Sequence, residues 1–139
     1  VTVPIGKIAP EILKLIKITK KSLFLGVSQA KTGNTLGDIG WAIYNFIERS
    51  GFKMIKSLTG HGVGFDVHED PVVLNYGKKG GGLKLEPGLV IAIEPMTTVG
   101  KYEVSQRKDG SFITIDKSLS AHFEHTVAIT EKGPIILTL

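Results

Sequence analysis

The chain has 139 residues, 42% hydrophobic and 22% charged, a composition that fits one globular domain with a buried core and excludes a disordered or fibrous chain. Its longest uninterrupted apolar run, residues 89–93, is far short of the roughly 20 residues a bilayer crossing needs, so no membrane-spanning helix is expected. The net charge of +4 is carried almost wholly by lysine, and with only Arg49 and Arg107 to make bidentate contacts, no specific nucleic-acid partner is expected.

The spacing of Ile8, Ile12, Leu15, Ile16, Thr19 and Leu23 predicts an amphipathic helix over about 10–30, with Pro10 in a first turn that does not need its N–H. Lys14, Lys17, Lys20 and Lys21 recur at three- and four-residue spacing opposite this apolar face, as a solvated face or a site for a loose anionic partner. After the break at 31–34, Thr35-Leu36-Gly37-Asp38 resembles a capping box ahead of a second helix through Ile39, Ala42, Ile43 and Phe46 that stops at Gly51. From Met54 onward, apolar runs of strand length are divided by Gly, Pro and Asp. Residues 89–93 read as a buried strand, 102–108 and 112–117 as a hairpin about Asp109-Gly110, and 120–130 as one long alternating strand. Helices first and antiparallel strands after predict an α+β architecture, with 1–139 a single domain.

The chain contains no cysteine, so disulfides and thiolate metal sites are excluded and a metal would be held by His, Asp and Glu. His61 lies within Gly60-His61-Gly62-Val63-Gly64, whose glycines permit close backbone approach but match neither a phosphate-binding loop nor a dinucleotide fingerprint. A lone histidine is as readily structural, so His61 needs partners. His68 follows in Val67-His68-Glu69-Asp70-Pro71, where Pro71 and the upstream glycines exclude an HExxH zinc helix. Glu94 ends the buried 89–93 strand on the face of Ala92, where a carboxylate is costly unless a cation or other partner neutralises it.

In 120–130, alternation puts Phe123, His125, Val127 and Ile129 on one face and His122, Glu124, Thr126 and Ala128 on the other. Glu124 then stands beside the His122 imidazole and the Thr126 hydroxyl, as an oriented metal ligand would, or as part of a solvated outer face. One imidazole and two carboxylates without sulfur suit a divalent ion such as Mn, Fe, Co or Zn. Three ligands could hold one ion and would struggle to hold two. Asp38 and Asp66 are the nearest further carboxylates, and Asp38 belongs more naturally to the helix cap.

These motifs together resemble the C-terminal half or so of the type 1 methionine aminopeptidases, members of the pita-bread metallopeptidase superfamily. The resemblance rests on Gly60-His61-Gly62-Val63-Gly64, His68-Glu69-Asp70-Pro71, Asn75-Tyr76, Leu85-Glu86-Pro87-Gly88, Ile93-Glu94-Pro95-Met96, Lys108-Asp109-Gly110, Ser118-Leu119-Ser120-Ala121 and Phe123-Glu124-His125-Thr126, and it covers nearly the whole chain. It implies two helices packed on a mostly antiparallel curved sheet, with His61, Glu94 and Glu124 as ligands of two divalent ions and Glu124 bridging them. It further implies that His68 contacts the substrate and stabilises the tetrahedral intermediate, in an enzyme removing the initiator methionine from nascent polypeptides in the cytoplasm.

Two further aspartate ligands of that family have no counterpart here, which implies a fragment that needs a missing N-terminal half and has little or no activity alone. Val67 and Ser111 stand at substrate-pocket positions where relatives often carry an aromatic and a tryptophan, and His122 stands at a usual glutamine position. A non-catalytic binding module on the same fold and a related Xaa-Pro peptidase remain as alternatives. The lysine-rich first helix adds transient ribosome association as a candidate partnership.

Overall fold

The computed structural model describes residues 1–138. Among these described residues, helix α1 (Pro10–Gln29) and helix α2 (Leu36–Arg49) are followed by ten short strands. Pro10 opens α1, as its missing N–H allows. The start of α2 is a complete capping box: the Asp38 N–H donates to the Thr35 hydroxyl, and the Asp38 carboxylate accepts the Thr35 N–H at 2.9 Å. Asp38 therefore serves the cap, and the Thr35 hydroxyl bond above all holds its carboxyl below the usual range. Gly51 follows α2 with φ of +87°, a left-handed conformation that ends helices and favours glycine.

The two helices pack closely because α1 presents Gly26, where an added Cβ would lie 2.6 Å from the Ile43 Cδ1 of α2. Together they cover one face of the sheets. Leu15 and Leu23 of α1, with Ile39, Ile43 and Ile47 of α2, share a core with Ile91 and Ile93 of β4 (Val90–Ile93) and Val127 and Ile129 of β9 (His125–Thr130). Period-two alternation turns Ala92 and Thr126 to the opposite face.

The largest sheet has five antiparallel strands in the order β10 (Gly133–Ile136), β9, β4, β2 (Gly60–Gly62) and β3 (Glu69–Val73). Pro71 is accommodated because β3 is an edge strand. A three-stranded sheet joins β1 (Lys53–Met54), β5 (Met96–Thr98) and β8 (Ser120–His122), and β6 (Val104–Gln106) pairs with β7 (Phe112–Thr114) in the expected hairpin, with strands shorter than 102–108 and 112–117.

The long strand expected over 120–130 is two strands, β8 and β9, and the reason lies in their partner. The pairs Val90↔Ala128 through Ile93↔His125 and Met96↔His122 through Thr98↔Ser120 share one register, so β4–β9 and β5–β8 are one ladder interrupted at Glu94-Pro95 opposite Phe123-Glu124. The Phe123 N–H donates to the Pro95 carbonyl at 3.4 Å, and Pro95 has no N–H to return. Both candidate carboxylates sit at this gap.

Candidate metal centre

His61 is the central residue of β2, a strand flanked so tightly that its glycines cannot be replaced without displacement. A Cβ at Gly60 would collide with the Ala92 carbonyl of β4, and one at Gly62 with the Asp70 carbonyl of β3. The Gly62↔Ile91 pairing places His61 across from Ala92, on the sheet face away from the helices. The same parity carries Glu94 to this face from the end of β4, and Glu124 from the start of β9. Ligand atoms of His61, Glu94 and Glu124 all lie within 4.8 Å of one another, so three residues separated in sequence converge on one point.

The imidazole of His61 is oriented by its own strand. Its Nδ1 lies 2.8 Å from the Gly62 carbonyl, which only accepts, so Nδ1 carries the proton and Nε2 presents a lone pair. That Nε2 faces Glu94 Oε1 at 3.6 Å, while the other oxygen, Oε2, lies 3.2 Å from His122 Nε2. The Glu94 side chain is only 12% exposed, and among the described residues no lysine or arginine pairs with it. His122 Nε2 is itself buried without a hydrogen-bond partner. A nearly buried carboxylate between two imidazoles is the environment a cation would complete. One imidazole nitrogen and two carboxylates also form a donor set suited to borderline divalent ions, although fewer donors than two ions require.

Two cavities meet at this cluster. One, of about 400 Å³, is walled by the three candidate ligands with Val67, Asp66 and Thr126. The other, of about 430 Å³, lies beyond Glu94 and includes Ile55, Met96, Val104, Phe112 and Ala121 on its wall, with His122 at its edge. His68 lines both, its ring centroid 4.1 Å from that of His61. Thr126 lines the same cavity as Glu124.

Val67 reaches the ligand-side cavity but is 73% exposed. Ser111 lies in the β6–β7 turn, where its hydroxyl donates to Asp109 Oδ1 at 2.7 Å, and it lines neither cavity. The turn uses its side chain, and the neighbouring Phe112 forms the wall instead. Asp66 stands on an exposed loop, its N–H donating to Glu69 Oε1, and is outside the converging group.

Asn75 carries a role that pattern reading missed. It is buried, and its Nδ2 donates to the Glu94 carbonyl at 3.1 Å, tying the end of β4 to the segment after β3. A polar residue directly after the apolar Val72-Val73-Leu74 run was the available signal.

Residues 1–131 match Metallopeptidase family M24. The methionine aminopeptidase of Clostridium acetobutylicum is 50% identical over 139 residues, covering 99% of this chain and 56% of its own length. Methionine aminopeptidase 1 of Bacillus subtilis is 44% identical over 138 residues, with 99% and 56% covered. Among solved structures, the methionine aminopeptidase of Thermotoga maritima superposes with a TM-score of 0.93 at 41% identity, covering 96% of this chain and 54% of that one. The prolidase of Pyrococcus horikoshii aligns at 28% identity with a TM-score of 0.72, covering 97% and 33%. The chain thus has the pita-bread fold and spans about half the length of the curated relatives it matches. It belongs to metallopeptidase family M24.

Proposed function

We propose that this chain supplies half of a dinuclear aminopeptidase site that removes the initiator methionine from new polypeptides. The observation that carries the reading is the convergence of His61, Glu94 and Glu124 within 4.8 Å, on the sheet face opposite the helices and beside His68. Divalent ions, with Co, Mn, Fe and Zn as candidates, would supply Lewis-acid activation of water and of the scissile carbonyl. His61 offers Nε2 because Gly62 holds its other nitrogen, and Glu94 and Glu124 offer carboxylates from opposite sides of the ladder gap. His68, exposed between the two cavities, would hydrogen-bond the substrate carbonyl and stabilise the tetrahedral intermediate. His122 and Thr126 orient the carboxylates.

The cavity walled by Met96, Ile55 and Phe112 offers apolar surface to substrate side chains, and Val67 forms part of the rim on the other side. Ser111 contributes to substrate binding only through the turn that carries Phe112. The higher identity to methionine aminopeptidases favours this reading over an Xaa-Pro peptidase, and the retained ligand set favours it over a non-catalytic module. The natural setting is the cytoplasm, with transient ribosome association.

The remaining ligands would come from the part of the relatives' length that these 139 residues do not span. Mn²⁺ titrated calorimetrically into this chain should bind, and E124Q should abolish the heat. Combined with a second chain carrying the relatives' other half, it should release methionine from a Met-Ala-Ser peptide in a metal-dependent way, whereas this chain alone should show little or no turnover. No release with both pieces folded would reject the enzymatic reading.

A further inference from the structure

His122 is held more firmly than an edge-strand residue needs to be. Its strand, β8, ends the three-stranded sheet, and its inner side pairs with β5 through Met96↔His122. On the outer side the Thr2 hydroxyl serves both free backbone groups, accepting the His122 N–H at 2.9 Å and donating to the His122 carbonyl at 3.1 Å. With its main chain fixed from both sides, His122 shares a sheet face with Glu124 and stands diagonal to Glu94 across the ladder gap.

The outcome is a contact that is close without being a hydrogen bond. His122 Nε2 lies 3.2 Å from Glu94 Oε2, yet the two do not meet in hydrogen-bonding geometry, and Nε2 is a buried nitrogen with no partner among the described residues. Either neutral form of the ring leaves a conflict. A proton on Nε2 is a buried donor without an acceptor, which costs free energy. The side chain is 42% exposed while Nε2 is buried, so the proton is better placed on Nδ1, and Nε2 and Oε2 then oppose lone pairs. A divalent cation between them removes the conflict. With bonds of about 2.0–2.2 Å to imidazole nitrogen and carboxylate oxygen, two donors on one ion stand about 3 Å apart and need no hydrogen between them. The pattern recurs at the other oxygen, where His61 Nε2, its lone pair freed by the Gly62 carbonyl, faces Glu94 Oε1 at 3.6 Å. Glu94 thus offers one oxygen to each of two imidazoles.

We propose that His122 is itself a metal ligand in this protein, its Nε2 sharing a divalent ion with Glu94 Oε2. This rests on the metal-centre reading above and goes beyond it, since His122 there only orients a carboxylate. The donors on this chain become two imidazole nitrogens and two carboxylates. A second imidazole moves the set away from hard, oxygen-preferring ions such as Mg²⁺ and Ca²⁺ and toward borderline ones such as Zn²⁺, Co²⁺ and Fe²⁺. Both His122 and Glu94 line the cavity of about 430 Å³, so the shared position is open to exchange from solvent.

The test is long-range proton–nitrogen correlation NMR of the isotope-labelled 139-residue chain at neutral pH, before and after saturation with Zn²⁺, a d¹⁰ ion that leaves the spectra sharp. The Nε2 resonances of both His61 and His122 should move on adding Zn²⁺. Those of His125, which packs on Phe24 of α1 away from the cluster, should stay in place. His122→Gln should weaken Zn²⁺ binding at least about tenfold by calorimetry, with circular dichroism checking its fold. A residue that only orients Glu94 would also weaken binding, so the nitrogen resonance separates ligating from orienting, and it is read on the unsubstituted chain whether or not the variant folds. If the His61 resonance moves and that of His122 does not, the assignment is overturned while the metal-centre reading stands. If neither moves, both are overturned. Unchanged Zn²⁺ affinity in a folded H122Q would also overturn the assignment.

Discussion

Glu94 and Glu124 contribute to the same candidate site under opposite physical conditions. Glu94 is nearly buried and faces two imidazoles, whereas Glu124 is exposed and accepts no hydrogen bond from the described residues. Neutralising Glu124 should therefore leave the metal-free stability unchanged. Neutralising Glu94 removes a desolvated charge and should leave the metal-free protein as stable or more so. Both substitutions, E94Q and E124Q, should remove the rise in melting temperature that saturating Mn²⁺ gives the parent chain, a rise worth about 2.7 kcal/mol at one hundred times the dissociation constant. Thermal melts with Mn²⁺ and with EDTA check this, and a metal-induced rise surviving in E124Q would remove Glu124 from the ligand set. Pattern reading singled out Glu94 because a charge at the end of an apolar strand has few inexpensive explanations, and Glu124 because alternation set it beside an imidazole and a hydroxyl. The pocket role of Ser111 came from the family resemblance alone, which carries no sign that Asp109 accepts its hydroxyl bond.

The elements owe their limits to local chemistry wherever a side chain meets its own backbone. The α2 cap was legible for that reason, since Thr35 and Asp38 need only each other. Asp38 also accepts the Gly80 N–H at 3.0 Å, so the same carboxylate pins the glycine-rich loop. D38A should cost about 0.5–2 kcal/mol in a urea melt at neutral pH, the range for losing a cap. Asp38 and Asp116 both ionise more readily folded than unfolded. For Asp116 the Lys101 N–H above all lowers the value to about 2, with help from Ser118. Their contribution is thus complete above the ordinary value of 3.8 and is lost as pH falls through the depressed values. The double variant D38N/D116N should flatten the loss of stability between about pH 4 and about pH 2, and an acid limb unchanged from the parent would contradict this. The division of 120–130 had no such local signature. It depends on Pro95, more than twenty residues away, standing opposite Phe123.

At the scale of the whole molecule, one core joins helices and sheet: Leu23 of α1, Ile43 of α2, Ile93 of β4 and Val127 of β9 belong to the same buried cluster. We propose on that basis that residues 1–139 unfold as one unit. The fluorescence of Trp41, the only tryptophan, and far-ultraviolet circular dichroism should report coincident urea transitions, and Ile93→Ala should lower both midpoints together, a loss of about 2–5 kcal/mol in stability. Separate transitions would show that the helices and sheet are distinct units. The sequence by itself determined that helices precede strands, the ends of both helices and which faces of residues 89–94 and 122–129 are apolar, because these follow from periodicity, caps and the refusal of Gly and Pro to continue an element. Only the tertiary structure decided that the ladder opens between Glu94 and Glu124, that Asn75 secures the strand end, and that Phe112 rather than Ser111 walls the cavity. Each of these depends on which distant backbone lies opposite, and the pairing of distant segments is set by the packing of the whole core rather than by any local run of residues.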